Sequence, residues 1–312
     1  MSASVTASSD AVEWLGQLRS PTEVVGGKAA SLDRLVRDGF NVPPGFCLTT
    51  AAFAAHLGAI EARDPLSQAL HGLPEEGARR VVVELVRDSA LPAPLSAAIT
   101  TGLERLADAG ESMFAVRSSA IGEDGGTASF AGLHETELGL AGEAVDAAVR
   151  RCWASLWSPE ALAYRQHRGM PVDGAAMAVV VQALVPADAA AVAFTRHPVT
   201  GRDDELVLTA VRGLGEPMVS GLATPDTIVV SRSSREVTDF SPGDDGERLL
   251  AADGSVRREP VTAAGPVLAP SQVDELVGLA LAVERAFGNP VDIEAAYARG
   301  RWYLLQARPI TA

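Results

Sequence analysis

The nine residues at positions 24–32 give the strongest indication of the fold and read Val24-Val25-Gly26-Gly27-Lys28-Ala29-Ala30-Ser31-Leu32. Lys28 is the only lysine among the 26 Lys and Arg residues of the chain. An ammonium is a compact charge on a flexible stem and differs from a planar guanidinium, so a lysine kept in such a chain indicates a specific role. The apolar residues Leu32, Leu35 and Val36 predict an amphipathic helix that ends at Gly39.

A Gly-Gly-Lys sequence at the start of a helix is typical of a phosphate site. Backbone N–H groups, the positive end of the helix dipole and the ammonium converge there. The alternative is that Lys28 is an ordinary solvated surface residue. The segment is not a P-loop, because Thr22 stands where that motif has its first glycine and Ala29 follows the lysine.

The composition indicates a globular protein of about two domains, with 312 residues of which 47% are hydrophobic and 21% are charged. A net charge of −14 argues against nucleic-acid and anionic-membrane binding, and a polyphosphate ligand would need a local cationic pocket. No apolar run is long enough to span a bilayer, and no signal peptide is recognisable. Cys47 and Cys152 predict buried thiols in a reducing cytoplasm. The absence of C-x-x-C and H-x-x-x-H pairs argues against a zinc site.

Periodicity and turn signals divide the chain into an N-terminal lobe, residues 1–181, and a C-terminal lobe, residues 182–312. In the first lobe they predict helices within 51–110 and 143–168 and strands at 46–48, 113–116 and 175–181. In the second lobe they predict strands at 190–195, 205–210 and 226–231, a surface loop over 240–265, and a helix over 271–287. A capping box of Ser271 and Asp274 is expected to begin that helix.

A β-hairpin is predicted at the C-terminus. Alternation places Asp292 and Glu294 on one face of its first strand, and the matching face of the second strand carries Trp302, Leu304, Gln306 and Arg308. A three-residue loop at 299–301 then pairs Glu294 with Gln306 and Asp292 with Arg308. Such oxygen ligands suit Mg²⁺ that bridges polyphosphate oxygens, and a guanidinium suits a phosphate. The alternative is an exposed face with an ordinary cross-strand ion pair.

Arg117 is expected to end a buried strand and to precede a polar, glycine-rich loop over 118–132. This loop contains Thr127, Ser129 and Gly132. A cation at the base of such a loop is typical of a lid that closes its backbone N–H groups on phosphates. The alternative is a flexible surface loop.

Gln182 is expected to end the following buried strand, where its amide can both donate to and accept from an adenine edge. A polar residue at a strand end is also routine. The turn at 212–215 presents Glu216 above the sheet, and it lacks the third glycine of a dinucleotide-binding motif. None of the five histidines lies in a glycine-rich turn like that of a phosphohistidine.

These segments together resemble the nucleotide-binding domain shared by phosphoenolpyruvate synthase, pyruvate phosphate dikinase and rifampin phosphotransferase. The matching blocks follow the family order, and they are Val25–Leu32, Val42–Phe46, Val116–Ala120, Ser129–Gly132, Phe194–Gly201, Gly213–Glu216, Asp292–Glu294 and Leu305–Thr311.

The resemblance implies an α+β ATP-grasp fold, in which two lobes clamp ATP and Mg²⁺. It implies roles for specific residues: phosphate contacts for Lys28 and Arg117, loop contacts for Thr127, Ser129 and Gly132, an adenine contact for Gln182, a ribose or phosphate contact for Glu216, Mg²⁺ ligation by Glu294 and Gln306, and contact of Arg308 with the transferring phosphates. In such proteins the β,γ-pyrophosphate of ATP passes to a histidine on a swivelling domain, and AMP is released.

The chain departs from the family pattern at several positions. Leu133 stands where the family usually has Gln, and Ala190-Ala191 replaces a usual Ser-Gly. His197 occupies a position where Asp or Asn is common. The chain stops at Ala312, where the family's nucleotide domain ends, so the phosphohistidine and substrate-binding domains are expected on other chains.

The intact set of candidate residues favours an ATP-dependent phosphotransferase component. Two alternatives remain open at this point. One is a non-catalytic nucleotide-binding regulatory module, and the other is a stand-alone kinase that phosphorylates a small molecule and forms ADP. The sequence does not identify the final phosphate acceptor.

Overall fold

The computed structural model describes residues 11–120, 136–169, 175–244, 246–252, 254–262 and 265–310. The chain divides into two compact units, the first made of Met1–Asp33 and Pro44–Leu184 and the second of Arg34–Pro43 and Val185–Ala312. The lobe boundary expected between residues 181 and 182 stays a prediction. Across the ranges described here, no helix combines the length and apolar character needed to cross a membrane.

The first unit contains an antiparallel sheet. Its strands are β1 (Val12–Trp14), β2 (Gly45–Leu48), β3 (Phe114–Ala120), β4 (Thr136–Leu140) and β5 (Met177–Ala183), in the order β1-β2-β5-β3-β4. Its helices are α1 (Thr22–Arg37), of which residues 34–37 are grouped with the second unit, α2 (Thr50–Glu61), α3 (Leu66–His71), α4 (Glu76–Asp88), α5 (Ala93–Asp108), α6 (Val145–Ala154) and α7 (Pro159–His167), with short 3₁₀ helices at Gly142–Ala144 and Ser155–Trp157. The helices predicted within 51–110 and 143–168 are therefore confirmed.

One face of this sheet forms the core of the first unit. Val181 of β5 pairs with Phe46 of β2 and with Val116 of β3, so these three side chains lie on the same face. All three are completely buried in a cluster that includes Phe53 of α2 and Trp153 of α6. Burying each such side chain contributes about 1.5–3 kcal/mol, which ties the helices to this face. Residues of the opposite parity are directed to the other face.

The second unit is built on a larger antiparallel sheet. Its strands are β6 (Ala189–Phe194), β7 (Glu205–Arg212), β8 (Asp226–Ser231), β9 (Val237–Ser241), β12 (Val291–Ala298) and β13 (Arg301–Pro309), in the order β13-β12-β6-β7-β8-β9. Two further strands, β10 (Glu247–Ala252) and β11 (Ser255–Pro260), pair with each other, and the helices are α8 (Glu216–Val219) and α9 (Pro270–Phe287). This mixture of helices and sheets is consistent with the α+β class.

Helix α9 packs on β6, β12 and β13, with Leu276, Val277 and Ala280 completely buried. It ends at Gly288, whose φ is +74°, as the sequence predicts. The expected capping box of Ser271 and Asp274 is wrong. The helix begins one residue earlier, because Pro270 is favourable at the first helical position. The side chain of Gln272 accepts a hydrogen bond from the Ala269 N–H at 2.7 Å.

The prediction of a surface loop over 240–265 is also wrong. This segment contains the end of β9 and the β10–β11 hairpin. A 2.8 Å hydrogen bond from the Leu214 N–H to the Leu249 carbonyl anchors the hairpin. Leu249 is buried, but charged residues such as Arg257 and Arg258 occupy consecutive positions of β11. The sequence therefore lacks the apolar alternation from which a strand is recognised.

Candidate functional site

Gly26 interrupts helix α1 two residues before the single lysine. Its φ of +76° and ψ of 164° lie outside the helical region and favour glycine, so the helix restarts after it. Lys28 is only 7% exposed, and its Nζ donates a 2.7 Å hydrogen bond to the Ser118 carbonyl of β3. Lys28 is therefore not a solvated surface residue. The helix predicted after Gly-Gly-Lys is confirmed.

Arg117 and Gln182 lie on the same face of the first sheet. Arg117 pairs with Val180, and Ala115 pairs with Gln182, so all four side chains share the face opposite the apolar core. Arg117 is 9% exposed and Gln182 is 2% exposed. The sequence expectation that each of them ends its strand is wrong, because β3 continues to Ala120 and β5 continues past Gln182.

Helix α1 is fastened to this same face by Ser119, which lies two residues after Arg117. The Ser119 hydroxyl donates to the Val25 carbonyl at 2.9 Å and accepts from the Ala29 N–H at 3.1 Å. The structure thus brings Lys28 to the face that carries Arg117 and Gln182. Sequence reasoning missed Ser119, since it assigned this residue to a loop and no local pattern distinguishes its hydroxyl from the others in that segment.

The C-terminal hairpin has the predicted polar pairing. Glu294 lies directly opposite Gln306, and Asp292 lies opposite Arg308. The Arg308 Nε donates to both carboxylate oxygens of Asp292, at 2.9 and 2.7 Å. The ion pair of the alternative interpretation is therefore formed, and it also holds the guanidinium on the face that carries Glu294 and Gln306.

The turn and the strand pairing that produce this register differ from the predicted ones. The turn has two residues, Arg299 and Gly300, both with positive φ, whereas a three-residue loop was expected. A β-bulge between Glu294 and Ala295 then shifts the pairing by one residue. Between the turn and the bulge, the predicted faces of β13 are therefore wrong. Trp302 and Leu304 were expected on the polar face, but they lie opposite Tyr297 and Ala295, which belong to the apolar face of β12. Without the bulge, Glu294 and Asp292 would face apolar residues.

Glu216 lies over this same face of the second sheet. It is the first residue of α8 and follows Gly215, where an added Cβ would lie 3.1 Å from the Cβ of Ala190. Ala190 pairs with Ala296, which by alternation shares the face of Glu294. The turn before α8 therefore brings Glu216 to the side of the sheet that carries the hairpin's polar pairs.

The loop candidates Thr127, Ser129 and Gly132 lie outside the described residues, so their roles stay predictions. In the described part of the chain, three histidines have hydrogen bonds, and the Nδ1 of exposed His71 lies 2.6 Å from the Ser67 carbonyl. The Nε2 of buried His56 lies 2.9 Å from the Val86 carbonyl. The Nδ1 of His197 lies 3.2 Å from the Val199 N–H and 3.3 Å from the Thr200 N–H. Asp and Asn side chains cap turns in the same manner, which accounts for a histidine at this position.

Glu294 and Gln306 fit a Mg²⁺ site. Side chains directly opposite each other on antiparallel strands have Cβ atoms about 4.5–5.5 Å apart, so a carboxylate and an amide oxygen can converge on one ion. Mg²⁺ in nucleotide sites usually takes one or two protein ligands and completes its shell with phosphate oxygens and water. Among the described side chains, no group of three or more His, Cys, Asp or Glu is arranged to hold a metal.

Each sheet thus carries one polar face, the first with Arg117 and Gln182 and the second with Glu294, Gln306 and Arg308. The chain belongs to the family of the pyruvate phosphate dikinase AMP/ATP-binding domain, whose family model matches residues 22–312. The resemblance inferred from the sequence blocks is thereby confirmed.

Several curated proteins are similar over nearly the whole chain. A probable phosphoenolpyruvate synthase of Methanocaldococcus jannaschii is 35% identical over 96% of this chain and 26% of the relative. A rifampicin phosphotransferase of a Streptomyces species is 39% identical over 92% of this chain and 34% of the relative. The prodigiosin synthesizing transferase PigC of Serratia marcescens is 38% identical over 96% and 33%, respectively. The chain therefore spans a quarter to a third of the length of these relatives.

Proposed function

We propose that this chain is the ATP–Mg²⁺-binding component of a phosphotransferase with an ATP-grasp fold and works in the cytoplasm. The observation that carries the proposal is the arrangement of polar groups on the two sheets. One face of the first sheet gathers two cations and a buried amide, and one face of the second gathers oxygen ligands and a guanidinium. Membership in an AMP/ATP-binding family supports the same ligand.

Each residue type suits one part of ATP–Mg²⁺. Lys28 and Arg117 hold phosphates through charge-assisted hydrogen bonds, and the amide of Gln182 meets the adenine edge. Glu216 meets the ribose or the phosphates. In the second unit Glu294 and Gln306 hold Mg²⁺, and the adjacent Arg308 contacts the transferring phosphates. Thr127, Ser129 and Gly132 are proposed to contact the nucleotide through the loop that contains them.

These residues supply what phosphoryl transfer requires from a nucleotide-binding protein. The reaction needs little covalent chemistry from such a protein, and catalysis comes from positioning and neutralisation of charge. Mg²⁺ held by Glu294 and Gln306 would neutralise negative charge on the phosphates. Lys28, Arg117 and Arg308 would orient the phosphates and stabilise the charge that develops on them.

The phosphate acceptor is proposed to be a histidine on a separate domain or protein, with AMP as the nucleotide product. The support is the family resemblance together with the settings of His56 and His197, which serve structural hydrogen bonds. A further substrate-binding domain on another chain would receive the phosphate. On this proposal the chain alone turns over little ATP, because none of its five histidines lies in a sequence context like that of a phosphohistidine.

The test is to incubate the chain with Mg²⁺ and ATP labelled in its β-phosphate, alone and with a phosphohistidine-domain protein of this family. The matched control is the same partner with its histidine replaced by alanine. We expect AMP and labelled partner only when the histidine is present. Rapid ADP formation without a partner would instead indicate a small-molecule kinase. ATP binding without turnover under every condition would indicate a regulatory module.

A further inference from the structure

The segment that carries Lys28 is held against β3 by a set of buried hydrogen bonds. The Ser119 hydroxyl bridges both sides of the break at Gly26, because it donates to the Val25 carbonyl and accepts from the Ala29 N–H. The thiol of Cys47 lies 3.6 Å from the same Val25 carbonyl. Ser119 and Cys47 are completely buried, so these bonds form away from water.

The approach between the segment and the strand is unusually close. A Cβ added to Gly26 would lie 2.1 Å from the Ser119 carbonyl oxygen and 2.4 Å from its Oγ. The preceding carbonyl of the strand, that of Ser118, accepts a hydrogen bond from the Lys28 ammonium. Ser118 and Ser119 of β3 therefore hold the backbone on both sides of Lys28 in place and fix the direction of the lysine side chain. An ammonium has three donors, so this bond is compatible with a phosphate contact.

We propose that Ser119 is a positioning residue for the phosphate-binding ammonium of Lys28. The inference rests on the proposed function, in which Lys28 contacts the phosphates of ATP. Loss of the hydroxyl leaves the Val25 carbonyl and the Ala29 N–H without their bridge and lets the restarted helix shift along β3. The ammonium then leaves its position at the Ser118 carbonyl, from which it is proposed to bind phosphate. Ser119 itself need not touch the nucleotide.

A double-mutant cycle measured by ATP titration calorimetry separates this role from general stabilisation. Ser119→Ala is expected to weaken ATP binding about tenfold when Lys28 is present, in keeping with loss of buried hydrogen bonds. In the Lys28→Met background the same substitution is expected to change the Kd less than about twofold, since there is no ammonium left to position. Equal effects in both backgrounds would overturn the positioning role alone. Absence of ATP binding by the wild-type chain would overturn the proposed function as well.

The second measurement does not depend on the stability of one variant. Ser119→Thr and Ser119→Val have the same shape and differ in the hydroxyl, so we expect the Thr variant to bind ATP more tightly by about tenfold. Because Lys28 is the only lysine, lysine-selective ¹⁵N labelling gives one side-chain signal, that of its Nζ. We expect that signal to move in Ser119→Val and not in Ser155→Ala, which removes another buried serine hydroxyl bonded to the Cys152 carbonyl. Equal binding by the Thr and Val variants, or an unmoved signal in Ser119→Val, would contradict the proposal.

Discussion

Replacing Gly26 with alanine tests the geometry on which the Lys28 site depends. The residue has a φ of +76° and a ψ of 164°, a region that essentially only glycine occupies, and strain there costs on the order of 1–3 kcal/mol. The added Cβ would also meet the Ser119 carbonyl oxygen at 2.1 Å, and this oxygen belongs to a paired backbone that cannot rotate away. Overpacking of this kind typically costs about 1–3 kcal/mol more.

The control is Gly110→Ala in the same unit. Gly110 has a φ of +90°, but a Cβ there would have no atom within 4 Å, so this substitution introduces strain without a clash. Urea unfolding of both variants should show that Gly26→Ala lowers the free energy of unfolding of the first unit by about 1–3 kcal/mol more than Gly110→Ala does. ATP affinity should fall only in Gly26→Ala. Equal destabilisation by the two substitutions would refute the close approach of Gly26 to Ser119.

Three further predictions follow from the first unit. The pKa of His56 is lowered, mainly by burial. The unfolded chain therefore takes up the proton first, and urea unfolding should show stability falling as the pH drops below about 6.5. His56→Phe should flatten this dependence, and an identical pH profile for both proteins would contradict it. Lys28→Arg should weaken ATP binding in calorimetry, because a planar guanidinium does not fit the bond to the Ser118 carbonyl; unchanged affinity would make the lysine an accident of composition. Arg117→Ala should lower ATP affinity at an unchanged circular dichroism spectrum, by roughly 1.5–3 kcal/mol for a charge-assisted contact; unchanged affinity would remove Arg117 from the site.

Much of the fold can be predicted from local patterns. The helix after Lys28, the helices within 51–110 and the helix that ends at Gly288 follow from apolar periodicity and glycine signals, because these act over a few residues. The pairing of Glu294 with Gln306 was also predicted correctly, since keeping apolar residues opposite each other fixes the parity of the register, although the assumed three-residue loop is in fact a two-residue turn followed by a bulge.

What could not be predicted depends on backbone geometry or distant contacts. The turn at Arg299 requires a positive φ in a residue that gives no such signal, and the bulge that restores the register has no sequence signature. Strands β3 and β5 extend beyond Arg117 and Gln182, because the neighbouring strand supplies backbone hydrogen-bond partners there. The bond between Ser119 and Val25 joins residues 94 positions apart, so no local pattern could reveal it.

The most direct test of the central claim is calorimetric titration of the chain with ATP in the presence and absence of Mg²⁺, repeated with Glu294→Gln. We predict that the wild-type protein binds ATP and that Mg²⁺ tightens this binding. Glu294→Gln should lose the tightening and retain Mg²⁺-free binding through Lys28 and Arg117. No binding at millimolar ATP would contradict the claim that this chain is an ATP-binding component. Tightening by Mg²⁺ that is unchanged in Glu294→Gln would contradict the assignment of the hairpin as the metal site.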